Sequence, residues 1–177
     1  MMGLHNLSRI ADTLMERRKQ QTPKCNSKKE NYQHVCAIFK NSPKKPCIIG
    51  IGYNHYPNQN KLLGTVHAEM DAIRKNLSKI KNGRVSIFVG RVKGGNSRPC
   101  SHCIHSMIDN IHIRIKNVYY TNGGGDIACE SFNQLTNSCD QHMSMYYRSL
   151  ANGSLFAIND DEDDDEAKLG SEAQGIT

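Results

Sequence analysis

Long apolar stretches are missing from this chain. No run approaches the ~18 residues that a membrane helix requires, and the first residues, Met1 to Asn6, lack the basic start and apolar core of a secretory signal. Gly3 stands one place too late for myristoylation unless translation starts at Met2. A membrane partner is therefore not expected. Aromatic residues are also scarce, at 6%. No run alternates them with basic residues in the manner of a surface that tracks a single nucleic-acid strand. The seven cysteines, Cys25, Cys36, Cys47, Cys100, Cys103, Cys129 and Cys139, are odd in number. Without a secretion signal, that count points to reduced thiols in an intracellular, cytoplasmic setting rather than a disulfide framework.

What is present fits one domain. The 177 residues are 37% hydrophobic and 23% charged. We expect a single domain over 1–155, with an N-terminal helix at about 4–19 and a loop at about 20–31, followed by an acidic, disordered tail over 156–177. The net charge of +6 conceals an asymmetry: Asp160 to Glu166 are all acidic, and residues 1–159 carry 22 Lys and Arg against 9 Asp and Glu, a balance of +13. Such a body suits nucleotide phosphates or a nucleic-acid backbone, although a solvated basic surface explains it as well.

Periodicity orders the elements. Leu7, Ile10, Ala11 and Leu14 share a helical face. His34–Phe39 and Cys47–Asn54 read as strands of an antiparallel hairpin, with apolar runs that suit a sheet buried on both faces. Val66 to about Leu77 reads as a helix with Met70, Ile73 and Leu77 on one side. Arg84–Val92 is a third strand, and Lys93 to Arg98 a flexible, glycine-containing approach to a helix at about 100–110 with Ile104, Met107, Ile108 and Ile111 on one face. Ile115–Tyr120 is a fourth strand. The turn Asn122-Gly123-Gly124-Gly125-Asp126 leads into a fifth over 127–132, antiparallel to the fourth. Asp140 to Leu150 reads as a last helix. This order gives an α/β fold with one mixed sheet and helices on its faces.

Two short stretches carry chemistry: His67-Ala68-Glu69 and Pro99-Cys100-Ser101-His102-Cys103. A catalytic zinc takes three protein ligands and keeps a fourth position for water. His67, Cys100 and Cys103 can supply one nitrogen and two thiolates. The two cysteines are three apart at a helix start, so they point the same way and the helix N-terminus favours their thiolate form. Zinc lowers the pKa of its water from 15.7 toward about 7. Glu69, two residues from His67, can take that proton and return it to a reacting group. A structural zinc site would normally close with four ligands. His102 and His105 stand nearby and read better as surface or core residues. Tyr119 and Tyr120 end the fourth strand, one expected to pack inward and the other to face out.

The combined pattern H-x-E…P-C-x-x-C is the signature of zinc-dependent deaminases. From about residue 33 to 121 the chain resembles the cytidine deaminase superfamily, on His67 to Ile73, on Arg98 to Cys103 and on the strand–helix rhythm around them. The resemblance implies a three-layer α/β/α sandwich with a five-stranded sheet, zinc on His67, Cys100 and Cys103, Glu69 as proton shuttle, and a homo-oligomer. Gly50 to Pro57 is similar to the Gly-Tyr-Asn segment of deoxycytidylate deaminases, which makes Asn54 a substrate contact. The glycine turn at 122–126 looks more like the free-nucleoside cytidine deaminases, yet their Asn-x-Glu sugar clamp is incomplete here, with Tyr56 in place of the glutamate. Ala68, Arg98 and Tyr120 complete the candidate substrate contacts. Arg98, with Arg91 and Lys93, reads either as a phosphate binder or as a solvated base near the glycine loop, and Tyr120, like Tyr119, either as a stacking platform for a base or as a packing residue. The implied activity is conversion of cytosine to uracil in a pyrimidine nucleoside or nucleotide. The alternatives are deamination of a base in single-stranded DNA or RNA, and a non-catalytic, zinc-stabilised module that binds nucleic acid or a partner.

Overall fold

The computed structural model describes residues 4–21, 33–40, 47–56, 65–81, 83–110, 112–138, 143, 144 and 148. Contacts divide the chain into a unit over Met1–Ser144 and a second over Met145–Thr177. All the elements described below belong to the first. The acidic run and most of the helix expected over 140–150 lie outside the described residues.

Five strands form one mixed sheet: β1 (His34–Lys40), β2 (Cys47–Tyr53), β3 (Arg84–Arg91), β4 (Arg114–Thr121) and β5 (Ile127–Ser131). Their spatial order is β2-β1-β3-β4-β5, with β3 and β4 parallel and the other neighbours antiparallel. The expected hairpins β1–β2 and β4–β5 are both present. Only β1 and β3 are buried along nearly their whole length. β2 is an edge strand with Cys47 and Ile48 exposed, so the expectation of burial on both faces fails there.

The helices cover both faces. Helix α1 (Leu4–Gln21) runs two residues beyond the expected end at 19. Leu7, Ala11 and Leu14 are buried from it against the odd-numbered residues Val35, Ala37 and Phe39 of β1. The opposite side chains, Cys36 and Ile38, join Ile87, Val89, Val118 and Tyr120 beneath α2 (Ala68–Ile80) and α3 (Ser101–Asp109). Three layers, α/β/α, therefore follow from the period-2 alternation of β1 between two apolar helix faces.

Because both faces are covered, Tyr119 and Tyr120 are both buried, one against α1 and one under α2 and α3, rather than one facing out. Two helix faces also differ from the expected ones. Leu77 and Ile108 are exposed, and Ile111 lies outside the described residues. In α2 the cause is a break at Asn76 (φ −123°, ψ 16°), which places Ile80 rather than Leu77 in the core. A short helix α4 (Phe132–Asn137), absent from the sequence reading, follows β5 and buries Leu135. Its signal was legible as Ser131-Phe132-Asn133-Gln134, a capping box in which Ser131 Oγ accepts from Gln134 N.

Candidate metal centre

The site lies where β2 and β3 end and α2 and α3 begin. His67 is the N-cap of α2, with extended backbone (φ −73°, ψ 152°). Cys100 is the N-cap of α3 (φ −76°, ψ 164°). Neither side chain caps its own helix, so both remain available to point between the two helix starts. Cys103 follows one turn into α3 and is fully buried.

The first arm is set by close backbone packing. A Cβ on Gly52 would lie 2.2 Å from Ala72 N and 2.4 Å from Ala68 O, so α2 rests directly on β2 at a residue without a side chain. Asp71, buried at 4% exposure, ties the same two elements. Its carboxylate accepts from Tyr53 N at 3.0 Å and from Lys75 Nζ at 2.8 Å, while its own N–H donates to His67 O at 3.0 Å. A single antiparallel bridge between His55 and Val66 then joins the end of β2 to the residue before His67.

The second arm is set by polar bonds. Ser97 Oγ donates to Val89 O at 2.7 Å, lies 2.7 Å from Thr121 Oγ1, and accepts from Thr121 N at 3.0 Å. Arg98 forms a two-pronged ion pair with Glu130 of β5, Nε to Oε1 at 2.9 Å and Nη2 to Oε2 at 3.1 Å. The expected flexible approach over 93–98 is thus held at Ser97 and Arg98. Cys100, Cys103 and Tyr120 belong to one core cluster, and the Tyr120 hydroxyl donates to Glu130.

His67, Cys100 and Cys103 each offer one ligand atom, and these lie within 4.8 Å of one another. His67 Nδ1 is 3.2 Å from Cys103 Sγ and 3.4 Å from Cys100 Sγ. Tetrahedral zinc with Zn–N near 2.0 Å and Zn–S near 2.3 Å needs N···S separations of about 3.5 Å. The donor set therefore fits zinc in both chemistry and spacing. The hydrogen bond from Cys103 lowers the Cys100 thiol to about 3, an effect helped by His67 and opposed by burial. The neighbouring thiol matters more here than the helix start invoked from the sequence. Cys103, donating to Cys100 and buried, is pushed up. His67 is raised, first by its hydrogen bond with Cys100. Burial raises the Glu69 carboxyl, while the charge of His67 pulls it back and a Cys103 hydrogen bond adds to that pull. Glu69 is 5% exposed, which places a buried carboxylate beside three metal donors.

The expected substrate residues are placed as follows. Ala68 is fully buried. Asn54 Oδ1 accepts from His34 N at 2.7 Å, and Arg18 Nη2 donates to Asn54 O at 3.1 Å from a position 4.8 Å over the Tyr53 ring. Arg98 and Tyr120 both address Glu130, a residue that sequence reasoning did not single out. No local spacing links position 98 to position 130. The β4–β5 hairpin sets Glu130 opposite Val118, and the bonds between Ser97 and Thr121 hold the neighbouring Arg98 at the same strand end.

No helix among the described residues is long and apolar enough to cross a membrane. The profile of the cytidine and deoxycytidylate deaminase zinc-binding region matches residues 8–122, which takes in both motif halves and begins within α1. No curated protein matches the chain. Among solved structures, the crystal structure of cytidine deaminase from Mycobacterium leprae aligns over 75% of this chain and 98% of its own, at 13% identity and a TM-score of 0.45. With its three converging donors inside the matched region, the chain belongs to the cytidine and deoxycytidylate deaminase family and is a zinc-dependent deaminase.

Proposed function

We propose that this protein removes the exocyclic amine of cytosine hydrolytically, giving uracil, in a pyrimidine nucleoside or nucleotide. The observation that supports it most is the buried Glu69 carboxylate beside the converged His67, Cys100 and Cys103 donors. In this reading those three residues hold zinc through Nδ1 and two Sγ atoms. Zinc bound there supplies acidified water at neutral pH. Glu69 takes a proton from the attacking water at its carboxylate and delivers it to the ring nitrogen beside the attacked carbon. It then takes the remaining proton of the added hydroxyl and passes it to the exocyclic amine, which leaves as ammonia as the C–N bond breaks and the carbonyl forms. Its burial supports this role, because desolvation raises the Glu69 carboxyl and so favours its holding a proton between transfers. The antiparallel β4–β5 hairpin supports the free-nucleoside end of the substrate range, and this reading assigns no phosphate to Arg98, whose fork is engaged by Glu130.

Glu69→Gln tests the mechanism. The variant should fold and take up zinc while losing ammonia release by a factor of about 100 or more. Normal turnover would refute the proton shuttle. Zinc uptake by the wild type without ammonia release from any cytosine compound would instead favour a non-catalytic module. Substrate class is read by supplying cytidine, deoxycytidine, CMP, dCMP and short cytosine-containing oligonucleotides to the wild type. Turnover of oligonucleotides alone would replace the nucleoside or nucleotide reading with deamination of a nucleic-acid strand.

A further inference from the structure

We propose that Glu130 is a positioning residue for the zinc site, acting through Arg98 to fix Cys100. The inference rests on the reading of Cys100 as a zinc ligand. Glu130 opposes Val118 across the β4–β5 ladder, and Tyr120 lies on the same face of β4 as Val118, in the core cluster that contains Cys100 and Cys103. Its carboxylate receives both prongs of the Arg98 guanidinium and the Tyr120 hydroxyl. The Arg98 side chain is only 11% exposed. Without Glu130 it would leave a largely buried cation lacking its counter-charge, an arrangement the chain relieves by moving the side chain out to water.

That movement would reach the metal site because the connection is short and stiff. Pro99 alone separates Arg98 from Cys100. Its ring fixes its own φ, and it restricts the residue before it to extended backbone. Ser97, on the other side, is bonded to β3 and β4. Arg98 is therefore the point at which the 97–100 segment is steered, and β5 is the element that steers it. A rotation at Arg98 that Pro99 cannot absorb displaces the Cys100 Sγ.

The test measures metal retention. Full-length protein loaded with zinc is mixed with a chromophoric chelator, and the release rate is compared among wild type, Glu130→Gln, Glu130→Ala and the double variant Arg98→Glu with Glu130→Arg. Partners behind metal ligands typically change affinity by about 10–100-fold. We expect release about tenfold faster in Glu130→Ala, a smaller acceleration in Glu130→Gln, and recovery in the charge-swapped pair. In cobalt-substituted protein the thiolate–cobalt bands should shift in Glu130→Ala and return in the swap. Unchanged release and unchanged bands in folded Glu130→Ala would overturn the proposal, as would a swap that recovers neither. If Glu130→Ala does not fold, Glu130→Gln decides by the same readouts. A wild type that fails to take up stoichiometric zinc would refute the ligand assignment itself, a separate result.

Discussion

The two arms of the metal centre are held by different physics. The His67–Glu69 arm is fixed by contact: α2 lies on Gly52 of β2 with no room for a methyl group, and the buried Asp71 bonds the two backbones. The Cys100–Cys103 arm is fixed by side-chain bonds, namely Ser97 to Val89 and Thr121, and Arg98 to Glu130. Close backbone packing is insensitive to pH and salt and has no tolerance for added volume. A polar anchor tolerates small changes in volume but depends on every partner and, at its ionised end, on protonation. Glu69 sits on the contact-held arm, and the two cysteines sit on the bonded one.

The sharpest break of this contrast is Gly52→Ala. The new Cβ would meet the α2 backbone at 2.2 and 2.4 Å, where no flexible side-chain end can yield. Overpacking costs about 1–3 kcal/mol and occasionally more, and here we expect about 3 kcal/mol or more in denaturant unfolding. A loss below about 1 kcal/mol would mean that α2 slides freely on β2 and that contact does not fix the first arm.

Ser97→Ala is the counterpart on the second arm. It removes the partner of the buried Thr121 N–H and one bond to Val89 O. Leaving a buried donor unsatisfied costs about 1–3 kcal/mol. We expect a loss in that range, below that of Gly52→Ala, together with faster zinc release. Equal losses in the two variants would erase the distinction between the arms.

The two arms were not equally legible in the sequence. His67, Cys100 and Cys103 could be read because metal chemistry demands particular residue types at short spacings. The sheet could be read because β1 and β3 are apolar along their length and the 122–126 turn forces a return. The anchors could not. Gly52 looks like any strand glycine until α2 is seen lying on it. Glu130 and Arg98 are 32 residues apart and meet through the β4–β5 hairpin and the Ser97–Thr121 bonds, themselves between residues 24 apart. Sequence reading therefore weighs Arg98 as a phosphate binder against a solvated base, since an arginine beside a glycine loop gives no sign of its carboxylate.

The ionised end of the second arm predicts a pH effect. The Arg98 hydrogen bond, with help from the Tyr120 hydroxyl, holds the Glu130 carboxyl below its ordinary value despite some burial. Its folded pKa is thus depressed relative to about 4.3 in the unfolded chain. The stabilisation from Glu130 is fully present above that unfolded value and is lost as pH falls through the folded one. Exposed pairs contribute about 0.2–1 kcal/mol. For the half-buried Glu130 we expect wild type to exceed Glu130→Gln by about 1 kcal/mol at pH 7, with the gap closing below about pH 4 in metal-free protein. A gap independent of pH would show that Glu130 anchors by shape and not by charge.

The smallest expected effect tests the contact-held arm at its far end. A regular helix through Ile73 would bring Leu77 to the same buried face. The break at Asn76 prevents this. Asn76 is itself buried, its side-chain amide donates to Ala72 O at 2.9 Å, and its Cγ and Nδ2 occupy the space that a Cβ on Gly50 would fill, at 2.6 and 2.5 Å. A short polar side chain bonding back to the preceding turn competes with the helical ladder, and the turn after it is rotated so that Ile80 enters the core and Leu77 stands 41% exposed. Leu77→Ser should therefore change stability by less than about 0.5 kcal/mol. A loss of about 2 kcal/mol or more, as expected for truncating a core leucine, would mean that α2 runs unbroken past Asn76. Gly50, not only Gly52, would then have to be reconsidered as a point where α2 is seated on β2.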